Sequence, residues 1–345
     1  MTSIELRNVT NYALKNISVK IGSGEFYVLI GPNGAGKTTL LKVIAGLVNY
    51  RGTVLFDGEP VDSLPPEKRN IGYVPQSIAL FPHMTVEENI LVGLRTRGYS
   101  IDRARAIARE HIKLTGITGL ENKYPLKLSG GERKKVAIAR ALAINPRILL
   151  LDEPFDGIQY EHRIEIAEII RYINRELGKT IILVTHNIDE ALNLGKSFGI
   201  IDDGKLLFSG SKQDFAEKVS KYIKYINTLE CNVEQFIQEG IAKTNCNGLK
   251  LLVPIDHVSD YGNKKRYFRI RILIPADKIV VSDTLPRPAL NTVKARVIEE
   301  HLISKNTYMV KLDTGSLLIN AVTRSKVGYG EVYLKIPMRY MYIVE

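Results

Sequence analysis

Two hydrophobic rhythms divide the chain. Up to about Asp214, short continuous apolar runs (Phe26–Ile30, Ile148–Leu151, Ile181–Val184) alternate with helical patterns such as Glu132–Ala143, apolar at Val136, Ile138, Ala139 and Leu142. Strands apolar on both faces, alternating with helices, predict an α/β fold with a mostly parallel sheet covered by helices. Past about Ser220 a helical connector leads into short strands rich in β-branched and aromatic residues: Leu249–Pro254, Tyr267–Ile274, Thr292–Ile298, Tyr308–Leu312 and Val332–Ile336. Gly, Asn, Asp and Pro turns separate them, which predicts an all-β small barrel or sandwich. The boundary is placed between residues 222 and 223.

The second half also repeats itself. Ile226-Asn227-Thr228-Leu229 recurs as Leu290-Asn291-Thr292-Val293, and Arg271-Ile272-Leu273-Ile274-Pro275 as Tyr333-Leu334-Lys335-Ile336-Pro337. A near-constant offset at both ends predicts duplicated units of about 60 residues.

Composition narrows the class. With 345 residues, 45% hydrophobic and 25% charged, the chain has room for two or three globular domains. The net charge of +11 invites nucleic acid, an anionic membrane face or small anions as partners. It is spread, however: 30 basic against 25 acidic residues in 1–222, and 18 against 12 in 223–345, with no long like-charge block. The basic stretch Lys264-Lys265-Arg266 reads as a solvated loop. Cys231 and Cys246 cannot make a disulfide framework or a four-cysteine metal site, which suits a reducing compartment. MTSIELRNVT has no apolar signal region, and no stretch approaches the roughly 20 apolar residues that span a bilayer. These features predict a soluble, intracellular protein.

The chemistry-bearing residues lie in the first half. Gly31-Pro32-Asn33-Gly34-Ala35-Gly36-Lys37-Thr38, followed by Thr39, stands between a strand and a helix. Glycines there let backbone amides wrap a phosphate, the helix points its positive end at it, and Lys37 reaches the terminal oxygens. The Thr38 hydroxyl is placed to ligate Mg²⁺. Ser129 and Glu132 form a capping box around Gly130 and Gly131. Two glycines leave the helix amides bare, a second phosphate cradle that a single chain already carrying one does not need. That pattern implies a head-to-tail dimer with ATP between Lys37 of one copy and Ser129 of the other. Ile148-Leu149-Leu150-Leu151 ends in Asp152 and Glu153, suited to the metal shell and to the attacking water. His186 ends the strand Thr180–Thr185, where it would meet a terminal phosphate. Gln76, after the strand Gly72–Pro75, could bridge Mg²⁺ and a partner-sensing loop. Tyr12 is either an adenine-stacking platform or a surface tyrosine. His83, His111, His162, His257 and His301 are read as structural.

The phosphate loop, Gln76, LSGGE, ILLLDEP and THN, in this order, resemble the nucleotide-binding subunit of an ABC transporter over residues 1–215. Leu80-Phe81-Pro82-His83-Met84-Thr85-Val86 is similar to importer cassettes in particular, where this loop receives the permease. The resemblance implies that Gly31 to Thr39 bind ATP and Mg²⁺, and that Gln76 senses the permease. It further implies that Ser129 to Gly131 contact the opposite ATP, Glu153 is the base and His186 the γ-phosphate switch. Where the family commonly has Phe-Ser-Ala-Leu-Asp, this chain has Phe155-Asp156-Gly157-Ile158-Gln159, so Gln159 replaces the cross-dimer aspartate. Asn187 stands where an aspartate commonly follows the histidine.

The second half resembles the tandem oligomer-binding (TOBE-like) barrels that follow importer cassettes, most of all the molybdate/tungstate version. An oxyanion site near Asn291, Thr323, Ser325 and Lys326, or a plain dimerisation spacer, is what that likeness implies, although the familiar Ser-Ala-Arg-Asn is Pro288-Ala289-Leu290-Asn291 here. The resulting expectation is a homodimeric import ATPase on the cytoplasmic membrane face, paired with permease subunits and an extracellular binding protein. Nucleic acid is excluded as a partner: a coiled-coil insertion, zinc cysteines and a second cassette are all lacking. Molybdate or tungstate leads as cargo over sulfate, sugar, polyamine and ferric iron.

Overall fold

Burial follows the periodicities. In the computed structural model, strand β2 (Ile17–Ile21) alternates buried and exposed side chains, and β1 (Ile4–Thr10) does so apart from the consecutive exposed pair Arg7 and Asn8 at a register shift, whereas β3 (Phe26–Ile30) is buried at all five positions. The structure describes residues 2–222, 226–238, 240–255 and 269–344; His257 and the Lys264–Arg266 stretch lie outside the described residues. The chain divides into two compact units, Met1–Gly210 and Ser211–Glu345.

In the first unit, helix α1 (Lys37–Ala45) follows β3 and ends at Gly46, whose φ of 75° supplies the left-handed cap. Strands β4 (Arg51–Phe56) and β5 (Glu59–Pro60) join β2 and β1 in a sheet ordered β2-β1-β4-β5. Then come β6 (Ile71–Val74), α2 (Val86–Thr96), α3 (Ile101–Leu114), α4 (Gly130–Ala143) and β7 (Ile148–Asp152). They are followed by α5 (Tyr160–Arg175), β8 (Thr180–Thr185), α6 (Ile188–Leu194), β9 (Ser197–Asp202) and β10 (Lys205–Ser211). The second sheet runs β10-β9-β3-β8-β7-β6, with β9, β3, β8, β7 and β6 mutually parallel. Its register matters for function: Ile30 pairs with Thr185, Asp152 with Val184 and Val74 with Leu151, so four strands end level. One apolar core lies around β1–β4, α1 and the parallel strands, and another joins α2, α3 and α4.

The second unit begins with α7 (Lys212–Tyr222) and continues with β11 (Ile226–Gln238), β12 (Ile241–Cys246), β13 (Leu249–Pro254), β14 (Arg269–Pro275) and β15 (Val280–Ser282). The same series recurs as β16 (Thr292–Ser304), β17 (Thr307–Asp313), β18 (Leu318–Thr323), β19 (Glu331–Lys335) and β20 (Tyr342–Val344). The two five-stranded sheets have one order, β13-β12-β11-β14-β20 and β18-β17-β16-β19-β15, so each repeat lends its last strand to the other. The duplication read from the sequence is therefore real, and its halves are exchanged. The first asparagine of each repeated motif clasps a strand of the other sheet. Asn227 donates Nδ2 to the Asn320 carbonyl at 2.8 Å and accepts the Asn320 amide at 2.7 Å. Asn291 does the same with Leu252, both at 2.7 Å. One apolar core spans both sheets.

One sequence expectation is corrected here. Two cysteines alone suggest no disulfide framework and suit a reducing compartment, yet Cys231 and Cys246 are bonded to each other across β11 and β12. Asn232 faces Asn245 in that ladder, so the next pair outward places the two Cβ atoms side by side, a proximity that spacing alone does not reveal.

Candidate nucleotide-binding and hydrolysis site

The level strand ends gather the polar residues at one edge of the parallel sheet. The loop after β3 holds Gly31 against the Ile201 carbonyl so closely that a Cβ there would lie 2.1 Å from the oxygen. Gly34 and Gly36 take φ of 81° and 104°, bending the backbone so that amides precede α1 without side chains in the way. Lys37 is 6% exposed; its ammonium donates to the Gly31 and Pro32 carbonyls at 2.8 and 3.0 Å and lies 3.6 Å from Glu153 Oε1.

Asp152, 1% exposed at the end of β7, accepts the Thr38 hydroxyl on Oδ1 at 3.0 Å and the Tyr73 hydroxyl on Oδ2 at 3.3 Å. Burial raises its carboxyl above the ordinary range; the two hydroxyls pull the other way, Glu153 raises it further and Lys37 lowers it. Burial also raises the Tyr73 phenol, with Asp152 adding to the effect. A buried carboxylate beside a threonine hydroxyl at the phosphate loop is a pair of hard oxygens, which fits Mg²⁺.

Glu153 is nearly buried and stands in the left-handed region with φ 46°, a strained position for a non-glycine residue. Its Oε2 meets His186 Nδ1 at 3.1 Å and the His186 amide at 3.4 Å. The next acid, Asp156, accepts Gln76 Nε2 at 3.2 Å and donates its own amide to the Glu153 carbonyl at 3.2 Å. Lys37, Thr38, Asp152, Glu153, His186 and Gln76 are thus joined by direct contacts or through one intermediate.

Ser129, Gly130 and Gly131 stand apart from that cluster, at the start of α4. The capping box forms as read: Ser129 Oγ accepts the Glu132 amide at 3.1 Å and Glu132 Oε2 accepts the Ser129 amide at 2.6 Å. Ser129 is exposed. Tyr12 is 81% exposed, in a loop whose Ala13 carbonyl and Leu14 side chain crowd Gly36, so the loop borders the phosphate cradle. Among the second-unit residues, Asn291 is committed to Leu252, and the Thr323 hydroxyl donates to the Ser325 carbonyl at 2.8 Å.

Sequence reasoning missed several contributors. Lys134 is 1% exposed, with its ammonium 3.5 Å from the Gln76 carbonyl; burial lowers its pKa while Asp152, Asp156 and Glu153 raise it. A lysine on the apolar side of a helical pattern was the available signal. Asn89, fully buried, donates to the Phe81, Met84 and Thr85 carbonyls and accepts the Phe81 amide, holding the 81–85 loop. Arg140 stacks over Phe81 at 5.5 Å. Only its position after a capping threonine could have singled Asn89 out.

A parallel sheet carrying a phosphate loop, an acidic pair and a histidine at level strand ends, beside a helix opened by Ser-Gly-Gly, defines an ATP-binding cassette. Residues 14–156 match the ABC transporter family. The molybdate/tungstate import ATP-binding protein WtpC of Pyrococcus abyssi is 35% identical over 93% of this chain and 91% of its own length. The spermidine/putrescine import ATP-binding protein PotA of Roseobacter denitrificans is 34% identical over 94% and 91%, and the Fe(3+) ions import ATP-binding protein FbpC of Fusobacterium nucleatum 32% identical over 94% and 87%. Among solved structures, a cassette dimer in a post-hydrolysis state with ADP and phosphate matches with a TM-score of 0.57 at 33% identity, covering 60% of this chain and 98% of that one. The chain belongs to the ATP-binding subunits of ABC importers, and it is an ATPase whose class works on ATP with Mg²⁺.

Proposed function

We propose that this chain powers import of molybdate or tungstate as one half of a homodimer docked on permease subunits at the cytoplasmic face of the membrane, fed by an extracellular binding protein. Three relatives named for molybdate/tungstate import, at 34–36% identity over 84–93% of the chain, carry the choice of cargo. Residues 1–222 would be the ATPase and 223–345 a tandem oligomer-binding regulatory unit. Among the described residues no helix is long and apolar enough to cross a membrane, so a separate permease would supply the pathway. The exposed loop 81–84, held by Asn89, would receive it.

Each residue's work follows from its contacts. Backbone amides between Gly31 and Thr39, Pro32 excepted, bind the phosphates, with Tyr12 against the base. Lys37 exchanges its carbonyl partners for phosphate oxygens. Thr38, Asp152 and Gln76 would hold Mg²⁺, which neutralises phosphate charge. Glu153 takes the proton of the attacking water, while His186, hydrogen-bonded to it, fixes its orientation and meets the terminal phosphate. Ser129, Gly130 and Gly131 close the site of the second copy. The second unit's readout of an oxyanion would have to use groups other than the Asn291 side chain, which Leu252 already occupies. Reconstitution with the co-purifying permease and binding protein tests the cargo. ATPase stimulated by molybdate- or tungstate-loaded binding protein supports it, and stimulation only by polyamine or ferric iron refutes it.

A further inference from the structure

Lysine is rarely taken out of water unless a carboxylate pairs with it. In the second turn of α4, Lys135 keeps that rule by donating to Glu165 Oε2 at 2.5 Å, whereas its neighbour Lys134, 1% exposed, forms no ion pair among the described residues. Its ammonium has one hydrogen-bond partner among them, the Gln76 backbone carbonyl at 3.5 Å. The acids that favour its charge from farther off, Asp152 first and then Asp156 and Glu153, all belong to the hydrolysis site. Burying an ammonium in this way costs stability, and an apolar side chain at the same inward position would not, so packing does not account for the charge. Gln76 itself is exposed, on the loop after β6, and two groups hold it. Lys134 donates to its backbone carbonyl, and Asp156, in the loop after β7, accepts its side-chain Nε2 at 3.2 Å. With Nε2 committed to a carboxylate, Oε1 is the amide atom left to accept a cation. We propose that Lys134 is a positioning residue for ATP hydrolysis, its buried ammonium anchoring the Gln76 carbonyl and thereby holding Gln76 Oε1 ready for Mg²⁺.

This role rests on Gln76 serving as a Mg²⁺ ligand, as proposed above. An anchor and a bare charge differ in sign. A positive charge near the acids repels a divalent cation, so deleting a lysine that acts only through its charge tightens metal binding. Deleting an anchor leaves Gln76 misplaced and weakens it. The test compares the full chain with Lys134→Met, Gln76→Ala and the double variant, and Lys134→Gln takes the place of Lys134→Met should the latter not fold. Mn²⁺ in place of Mg²⁺, with a non-hydrolysable ATP analogue present, is titrated by electron paramagnetic resonance, which reads the free ion. Lys134→Met should weaken Mn²⁺ binding roughly ten-fold, the low end for a residue that orients a metal ligand. Basal turnover at saturating Mg²⁺ should fall by a similar factor, while KM for ATP stays within about two-fold. The Tm of the ligand-free chain should hold or rise, since an unpaired buried charge is gone. The double variant should be no worse than Gln76→Ala alone, because both changes act through one residue. Tighter or unchanged Mn²⁺ binding, multiplied losses in the double variant, or a Tm that drops along with turnover overturns the proposal. Gln76→Ala binding Mn²⁺ as tightly as the parent overturns Gln76 as a ligand, and the anchoring role with it.

Discussion

Replacing Glu153 by Gln changes one oxygen to nitrogen, leaves the volume unaltered and opens no cavity. The Lys37 ammonium loses a carboxylate at 3.6 Å but keeps its Gly31 and Pro32 carbonyls, so it is not orphaned. The amide oxygen can still face His186 across the 3.1 Å contact. What disappears is the ability to accept a proton from water. A positioned general base contributes about 10²–10⁴ in rate, or about 3–5 kcal/mol of barrier, so turnover should fall by that factor. The dissociation constant for ATP should move less than about three-fold, because the loop amides between Gly31 and Thr39 and the Lys37 ammonium are untouched. Phosphate release at saturating Mg-ATP measures the first quantity, and equilibrium binding of a fluorescent ATP analogue the second. Turnover within about ten-fold of the parent would refute the base assignment. Rate and affinity falling together would instead show Glu153 to be a binding group.

Other consequences are as direct. Ser129→Ala removes one half of the α4 capping box and should cost about 1 kcal/mol, seen as a Tm lowered by about 2–4 °C in the first unit. Asn291→Ala strands both backbone groups of Leu252; a loss of about 2–3 kcal/mol and faster amide exchange at Leu252 are expected, and unchanged exchange there would contradict the clasp. Reducing the Cys231–Cys246 bond, which closes a loop with a sequence separation of 15, should lower second-unit stability by about 3 kcal/mol. Two free thiols in the untreated protein would show that the bond does not form. For Asp152, burial puts the folded pKa above the unfolded one. Its ionisation therefore costs nothing below the unfolded pKa, and the full penalty applies once pH exceeds the folded value. Asp152→Asn should raise the Tm at neutral pH while abolishing Mg²⁺-dependent hydrolysis; an unchanged or lower Tm would argue against a desolvation penalty.

Periodicity and motif spacing placed much of the first unit. The strands Phe26–Ile30 and Thr180–Thr185 match their observed bounds, and the helix expected from Glu132 begins two residues earlier, at Gly130. Buried parallel strands are legible because both faces must be apolar. Less was legible where a residue's role depends on a partner distant in sequence. Asn227 bonds a strand 93 positions away and Asn291 one 39 positions away. Their repetition in the sequence marked them, but nothing in either motif says that each serves the opposite sheet. The exchange of β15 and β20 is hidden for the same reason: strand pairing is set by three-dimensional register, and each strand is three residues long. By residue type Lys134 carries no sequence signal of its burial, because a lysine in a helix is ordinarily solvated.

The strained backbone of Glu153 gives these contacts a mechanical meaning. A non-glycine residue at φ 46° persists only where its surroundings over-determine it. Here its amide is fixed by the Val184 carbonyl at 3.0 Å and its carbonyl by the Asp156 amide at 3.2 Å. Asp156 in turn holds the Gln76 side chain, and Lys134 approaches the Gln76 carbonyl. Glu153 is therefore held on one side by the sheet, through the Val184 carbonyl, and on the other by Asp156, whose carboxylate meets the loop after β6. Shifting that loop would break the Gln76–Asp156 hydrogen bond, and Asp156 is one hydrogen bond from Glu153.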